Sequence, residues 1–216
     1  MSSLAQEAYE KIKDSIVKND FKPGDCLSES ALARSFGMSR TPIREAIKIL
    51  SNEGFVDIYN GVGAIIKHIT VKEIKDIFEV RIALECAAVD SALENIKYED
   101  IKPIEEDWLY LRKCAMSGEK IGINKISEYD YGLHKLLIMK CSNDFLRSII
   151  DGIRIKILRF QKISAAVLGN ELDTIEQHLE IIELIKDKDA EKLKDKLKAH
   201  IRYAENLMLR NPNIRY

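Results

Sequence analysis

The sequence has little of what membrane, disulfide-rich or secreted proteins have in abundance. Its 216 residues include four prolines, four cysteines and one tryptophan, and no apolar run approaches the length of a membrane span. The cysteines lie far apart and form no CxxC pair, so we expect them to be reduced. Charged residues interrupt the apolar ones at the N-terminus, which is unlike a secretory signal. These absences predict a cytoplasmic protein without a membrane partner.

An excess of one charge is also absent. Lys and Arg total 34 against 35 Asp and Glu, which gives a net charge of -1, and residues 1–70 carry nine charges of each sign. Net charge therefore gives no indication of nucleic-acid binding, and any such argument depends on where the basic residues lie. The hydrophobic content of 46% is sufficient for packed cores.

The first part of the chain alternates short helical segments with glycine-containing turns. Apolar spacing predicts one helix over residues 3–19 and two shorter helices over 29–36 and about 40–53, with Gly37 in the turn between them. On both sides of the stretch 60–63 the apolar residues recur at every second position, which is typical of strands and predicts a β-hairpin. Two short helices followed by a hairpin form a winged helix-turn-helix, which we assign to residues 1–69.

Helical periodicity dominates from residue 70 to residue 216, where glycine and proline are rare. We predict helices at roughly 71–95, 98–117, 121–141, 144–168, 171–187 and 189–210. These residues are expected to form one helical bundle. The predicted fold class is therefore mainly α: a winged helix-turn-helix followed by an all-α domain.

The second short helix carries three cations on one face, because Arg40, Arg44 and Lys48 are spaced four residues apart. A recognition helix enters the major groove of DNA by its N-terminal end, where an arginine can donate two hydrogen bonds to a guanine. A solvent-exposed helix whose cations pair with acidic residues such as Glu45 is the alternative. The order of short helix, glycine turn, basic helix and hairpin favours DNA binding.

The segment PGDCLSESALARSFGMSRTPIREAIKILSNEGFVDIYNGVGAII resembles the DNA-binding domain of GntR-type transcriptional regulators. The stretch SRTPIREAIKIL, followed by EGFV and a glycine-containing wing, carries most of the resemblance. The resemblance implies DNA contacts from the recognition helix and from the wing: Ser39, Arg40, Thr41, Arg44, Asn60 and Gly61. Ser30 departs from the family pattern, because some members have a basic residue at that position.

Three of the four histidines lie in the second half of the chain, each in line with the apolar residues of its helix. His134 follows Asp130 by four residues, so both project from one helix face, while His178 and His200 lie on two later helices. Three histidines and an aspartate that converge inside a bundle can bind a first-row metal ion. Each histidine is also compatible with a hydrogen-bonded core residue, and periodicity does not establish that the four converge.

The second half resembles the FCD effector domain of FadR-type regulators within the GntR family, through FEVRIALECAA, EYDYGLHKLLI, TIEQHLEIIELI and KLKAHIRYAENL. Metal-binding members use one aspartate and three histidines, which the resemblance assigns to Asp130, His134, His178 and His200. We expect zinc because of its availability, with nickel or manganese as alternatives. The resemblance further implies a carboxylate effector and a contact to it from Arg81, for which a salt bridge is the alternative role.

The function expected from both halves is a ligand-responsive repressor. It would bind a palindromic operator in double-stranded DNA as a homodimer and sense a small carboxylate. One alternative is a metal-dependent hydrolase whose three-histidine, one-aspartate site activates water. Another is an architectural DNA-binding protein without a sensor. The hydrolase leaves the N-terminal motif unexplained, and the architectural protein leaves the inward histidines unexplained.

Overall fold

The chain forms two compact units, one that ends at Thr70 and one that begins at Val71. We call them the N-terminal unit and the helical unit. The computed structural model describes residues 3–17, 20–59, 63–68, 70–119, 121–153, 157 and 171–210. The prediction of a mainly α protein with a winged helix-turn-helix before an all-α domain is confirmed. No helix among these residues is long and apolar enough to cross a membrane.

The N-terminal unit combines three helices with a small antiparallel sheet. Its elements are α1 (Ser3–Val17), β1 (Cys26–Leu27), α2 (Glu29–Phe36), α3 (Arg40–Asn52), β2 (Val56–Tyr59) and β3 (Gly63–Ile66). The strand order is β1-β3-β2, with Cys26 opposite Ile65 and Val56 opposite Ile66. The predicted hairpin is present as β2 and β3, and the structure adds a third strand, β1, that the sequence did not predict. A strand of two residues is too short to show a period in the sequence.

Local capping fixes both ends of α2. Ser28 Oγ accepts a hydrogen bond from the main-chain nitrogen of Ala31, and α2 ends at Gly37, whose φ of 65° is left-handed, as the sequence predicts. Ser39 precedes α3 but makes no side-chain capping bond. Helix α1 packs against α3. The inner face of α3 buries five residues: Pro42, Ile43, Ala46, Ile47 and Leu50.

Replacement of the α2 cap should destabilise the N-terminal unit. We expect Ser28→Ala to lower the free energy of unfolding by about 1 kcal/mol, because the Ala31 N–H loses its acceptor. Chemical denaturation followed by circular dichroism measures the change. Ser35→Ala, at an exposed position within α2, is the matched control and should stay within about 0.5 kcal/mol of wild type. Equal losses in both variants would contradict the capping role.

The helical unit contains longer helices that pack pairwise. Its elements are α4 (Val71–Asn95), α5 (Tyr98–Met116), α6 (Ile123–Lys140), α7 (residues 144–153), α8 (Glu171–Lys186) and α9 (Ala190–Leu209). Helix α4 packs against α6 and α9, and α5 packs against α6 and α8. Of the predicted helix over 144–168, residues 154–156 and 158–168 lie outside the described residues.

An apolar core fills the helical unit, with the fully buried Trp108 as its largest side chain. Leucine and isoleucine residues from α5, α6, α8 and α9 surround it. The Trp108 ring stacks on the ring of His178, with centroids 3.8 Å apart and planes 10° apart. The core therefore extends directly to one of the histidines that the sequence singles out.

Candidate metal centre and DNA-binding surface

Four side chains from three helices converge inside the helical unit. Asp130 and His134 lie one turn apart on α6, His178 lies on α8, and His200 lies on α9. One oxygen or nitrogen atom from each lies within 4.8 Å of the corresponding atoms of the others. The three histidines are at most 4% exposed. The convergence that periodicity left open is therefore present, and we refer to these four candidate metal ligands as the metal centre.

The inner nitrogens of the histidines face one carboxylate oxygen. Asp130 Oδ1 lies 2.8 Å from His178 Nε2, 3.5 Å from His200 Nε2 and 3.6 Å from His134 Nε2. The ring of His200 lies between the other two, at centroid distances of 4.4 Å from His178 and 5.3 Å from His134. Each ring thus presents the same nitrogen to the same point.

The outer nitrogen of each histidine has its own hydrogen-bond acceptor. The pairs are His134 Nδ1 with Glu85 Oε2 at 2.5 Å, His178 Nδ1 with the main-chain oxygen of Thr174 at 2.7 Å, and His200 Nδ1 with Gln177 Oε1 at 3.1 Å. An acceptor at Nδ1 favours a proton on that atom. The lone pair of a neutral ring then lies on Nε2, which is the arrangement found around metal-bound histidines.

This geometry requires a positive charge at the centre. The Nε2 lone pairs of neutral rings would face the lone pairs of Asp130 Oδ1, and this contact is repulsive unless a proton or a metal ion lies between them. His134 Nε2 is buried without a hydrogen-bond partner among the residues that the structure describes. Three imidazole nitrogens and one carboxylate oxygen suit a divalent first-row metal, whereas Mg²⁺ and Ca²⁺ prefer more oxygen. The donor set therefore fits such an ion.

Opposing effects set the pKa values at the centre. Burial raises the pKa of Asp130, but hydrogen bonds and charge from the histidines hold it well below its usual value. Burial lowers the pKa of His134, but the carboxylates of Glu85 and Asp130 outweigh burial and raise it. Burial and then the neighbouring His178 lower the pKa of His200 to about 3. Of His134 and His200, His134 is therefore the ring that more readily carries a proton in the metal-free protein.

Glu85 and Arg81 on α4 form a buried pair beside the centre. Arg81 Nε donates to Glu85 Oε1 at 2.6 Å, and both side chains are at most 3% exposed. Burial raises the pKa of Glu85, but the charges of Arg81 and His134 lower it to about 2. Glu85 was not among the residues predicted from the sequence, although its spacing of four residues from Arg81 is a signal. Arg81 Nη2 is buried and lacks a hydrogen-bond partner within the described ranges.

A cavity of about 270 Å³ adjoins the metal centre. Its described lining is Glu85, Tyr131, His134, Lys135, Ile138, Met139, Ile150, Asp151 and Ile157. His134 and Glu85 belong both to this lining and to the contacts of the centre. A ligand in the cavity would therefore lie next to a residue of the metal centre, against a wall that combines aliphatic with charged side chains.

The predicted DNA-contacting side chains of α3 lie on its exposed face. Ser39, Arg40, Thr41, Arg44 and Lys48 are all exposed, opposite the buried face of the same helix. Asn60 and Gly61, predicted in the wing, lie outside the described residues. The structure therefore presents a hydroxyl-bearing and cationic helix start to solvent, as a recognition helix requires.

Arg44 is held by an acidic residue from the neighbouring helix. Its Nε lies 3.0 Å from Glu29 Oε1, and its Nη2 lies 2.9 Å from Glu29 Oε2. The hydrogen bond from Arg44 lowers the pKa of Glu29. The sequence suggested Glu45 as an acidic partner and did not indicate Glu29, because Glu29 and Arg44 lie on different helices, 15 positions apart. This pair fixes the direction of the Arg44 guanidinium on α3.

A winged helix-turn-helix joined to an all-helical domain defines a class of DNA-binding transcriptional regulators. The chain belongs to this class as a member of the gntR family of bacterial regulatory proteins, whose model matches residues 4–66, with an FCD domain matched over residues 76–203. It is therefore a transcriptional regulator and not an enzyme, so the hydrolase alternative is wrong.

Relatives support this assignment along most of the chain. An uncharacterized HTH-type transcriptional regulator, YdhC of Bacillus subtilis (strain 168), is 29% identical over 196 residues, which are 90% of this chain and 86% of that protein. The gluconate operon transcriptional repressor of the same organism is 28% identical over 196 residues, 87% of this chain and 77% of that protein.

Solved structures share the fold. E. coli McbR/YncC has a TM-score of 0.79 at 20% identity, with 97% of this chain and 98% of that chain covered. The Zn²⁺-bound FCD domain of TM0439 has a TM-score of 0.52 at 21% identity, with 65% and 95% covered. At these identities the likeness concerns the fold alone.

Proposed function

We propose that this regulator is a ligand-responsive repressor that binds a palindromic operator as a homodimer in the cytoplasm. It senses a small carboxylate in the helical unit. The observation that carries the proposal is the approach of three histidine nitrogens to Asp130 Oδ1 inside a domain of the FCD family. A repressor among the relatives, that of a gluconate operon, supports the direction of regulation.

The metal would be held by Asp130, His134, His178 and His200. We propose zinc, with nickel or manganese as alternatives, and the Zn²⁺-bound FCD domain of TM0439 supports this choice. Such an ion, when bound, supplies positive charge and open coordination positions for a carboxylate. The neighbouring acceptors keep the ring nitrogens directed at it.

The cavity beside His134 is the proposed effector site. The aliphatic part of its wall suits an apolar body, Lys135 offers a positive charge beside the acidic Glu85 and Asp151, and the metal centre lies at its edge. The effector contact from Arg81 stays a proposal: its Nε is bound to Glu85, its buried Nη2 has no hydrogen-bond partner among the described residues, and Arg81 is not part of the described lining of the cavity. A small carboxylate with an aliphatic part is therefore the ligand class that we propose.

The test measures operator binding in the presence of carboxylates. An operator is first selected from random DNA, and its affinity for the zinc-loaded chain is followed by fluorescence anisotropy. We expect a carboxylate that binds the cavity to weaken DNA binding about 5- to 150-fold, because an effector acts only through unequal affinity for two arrangements. The amide analogue of each carboxylate is the matched ligand control.

His178→Ala provides the protein control for this experiment. Its N-terminal unit is unchanged, so the variant should bind the operator while losing the response to the carboxylate. Equal responses in wild type and variant would overturn the metal-centred sensor. If the wild-type chain selects no operator from random DNA, the proposed DNA-binding function is overturned.

The proposed homodimer predicts a specific mass in solution. Sedimentation equilibrium at micromolar concentration should give twice the chain mass of 24.7 kDa, because a two-fold operator is read by one winged domain from each chain. The same measurement on the operator complex should give two chains for each DNA duplex. A single chain, both free and on DNA, would contradict this prediction.

A further inference from the structure

The three histidines of the metal centre are held in different ways. His178 donates to a main-chain carbonyl and stacks on Trp108, so the helix and the core both fix its ring. His200 lies 3.1 Å from a neutral side-chain amide, that of Gln177. Among the described contacts of the three rings, only the outer nitrogen of His134 meets a carboxylate, that of Glu85.

The carboxylate of Glu85 is itself fixed at both oxygens. Oε1 accepts from Arg81 Nε at 2.6 Å, and Oε2 lies 2.5 Å from His134 Nδ1. All three side chains are buried. The result is a continuous chain of charge-assisted hydrogen bonds from Arg81 through Glu85 to His134, and such bonds are roughly twice as strong as neutral ones.

We infer that Glu85, anchored by Arg81, is a positioning residue that holds His134 with Nε2 directed at the metal and thereby sets the metal affinity of the centre. The inference rests on the metal site of the proposed function and assigns a role that none of the four ligands performs. A carboxylate behind a metal-bound histidine fixes the tautomer and makes the ring a better donor. Gln177, a neutral amide behind His200, contributes less.

The experiment compares zinc affinities in four variants of the full chain, measured by competition with a chromophoric chelator. Glu85→Gln keeps a hydrogen-bond acceptor but removes the charge, and we expect the zinc affinity to fall about 10-fold. Glu85→Leu removes both the acceptor and the charge, and we expect the zinc affinity to fall about 100-fold. Gln177→Leu should cost about 2- to 10-fold, because its hydrogen bond is neutral. Glu205→Gln is the matched control, since Glu205 is buried and paired with Arg202, and it should leave affinity unchanged.

The outcomes separate the inference from the proposed function. Wild-type affinity in Glu85→Gln, with one zinc per chain, would overturn the positioning role and leave the metal site intact. Failure of the wild type to bind any metal would overturn both. A fall in affinity as large in Glu205→Gln would show that any buried charge loss has the same effect, which also overturns the assignment.

A second measurement uses the wild-type chain, so it does not depend on the folding of a variant. In the zinc-loaded wild type labelled with ¹⁵N-histidine, we expect His134 to show a metal-bound Nε2 and a protonated Nδ1. The Nδ1 proton should be shifted strongly downfield by its bond to Glu85. Ligation of the metal through His134 Nδ1 would break the contact with Glu85 and would refute the inference.

Discussion

Removal of the metal should lower the melting temperature of the helical unit by about 10 °C. The ligands come from α6, α8 and α9, so an ion that binds all four stabilises the folded arrangement of three helices. At a free metal concentration of about 1,000 times Kd the stabilisation is about 4 kcal/mol. For a chain of this size each kcal/mol shifts the melting temperature by about 2–4 °C.

Calorimetry with and without chelator measures this shift. His178→Ala should melt at the same temperature in both conditions, and elemental analysis should find metal in the wild type alone. Trp108 is the only tryptophan in the sequence and stacks on His178, so its fluorescence should also change when metal binds. If the wild type melts at the same temperature with and without chelator and contains no stoichiometric metal, the three histidines are core residues and not metal ligands.

The metal-dependent part of the stability should fall with acidification. Metal and proton compete for His134, whose pKa in the metal-free protein is raised above the usual value of about 6.5 by Glu85 and Asp130, against the effect of burial. Metal affinity should therefore increase up to about tenfold per pH unit until the pH passes this raised pKa, and then level off. Zinc affinity measured between about pH 5 and pH 8 should follow this curve, and affinity independent of pH would contradict it.

Residues with a strong local signal were predictable from the sequence. Gly37 marks the left-handed end of α2, and the three histidines share the apolar stripes of their helices, which places them inside the bundle. What periodicity cannot give is the contact between helices. The approach of Asp130 to His178 and His200, 48 and 70 positions later in the chain, depends on how three helices pack.

The missed residues share a physical reason. In the sequence Glu85 resembles the many other charged residues of the helices. The tertiary structure shows that it is buried and contacts His134 Nδ1. Glu29 likewise meets Arg44 across two helices. The strand β1 has two residues and forms because β3 lies beside it, not because of its own pattern. In each case the information lies in a partner that is distant in sequence.

Loss of the two arginines of α3 should abolish sequence-specific binding. If Arg40 and Arg44 each donate to a guanine, every such contact contributes about 1–3 kcal/mol, so Arg40→Ala combined with Arg44→Ala should weaken operator binding by about 30-fold or more. Both side chains are exposed at the start of α3, and the buried face of the helix is untouched by the change. The variant should therefore fold as the wild type does.

Charge alone would also weaken DNA binding, so the control must remove equal charge elsewhere. The double variant Lys11→Ala, Lys13→Ala takes two cations from α1 in the same unit and should reduce operator and random-DNA binding by the same small factor. The arginine variant should instead lose the difference in affinity between operator and random DNA.

Glu29→Gln, which loosens the Arg44 guanidinium without removing it, should cause an intermediate loss of discrimination between operator and random DNA. Anisotropy titrations at two salt concentrations separate these cases, because phosphate contacts depend on salt and base contacts depend on sequence. Equal operator binding by wild type and the arginine double variant would show that α3 does not read the DNA.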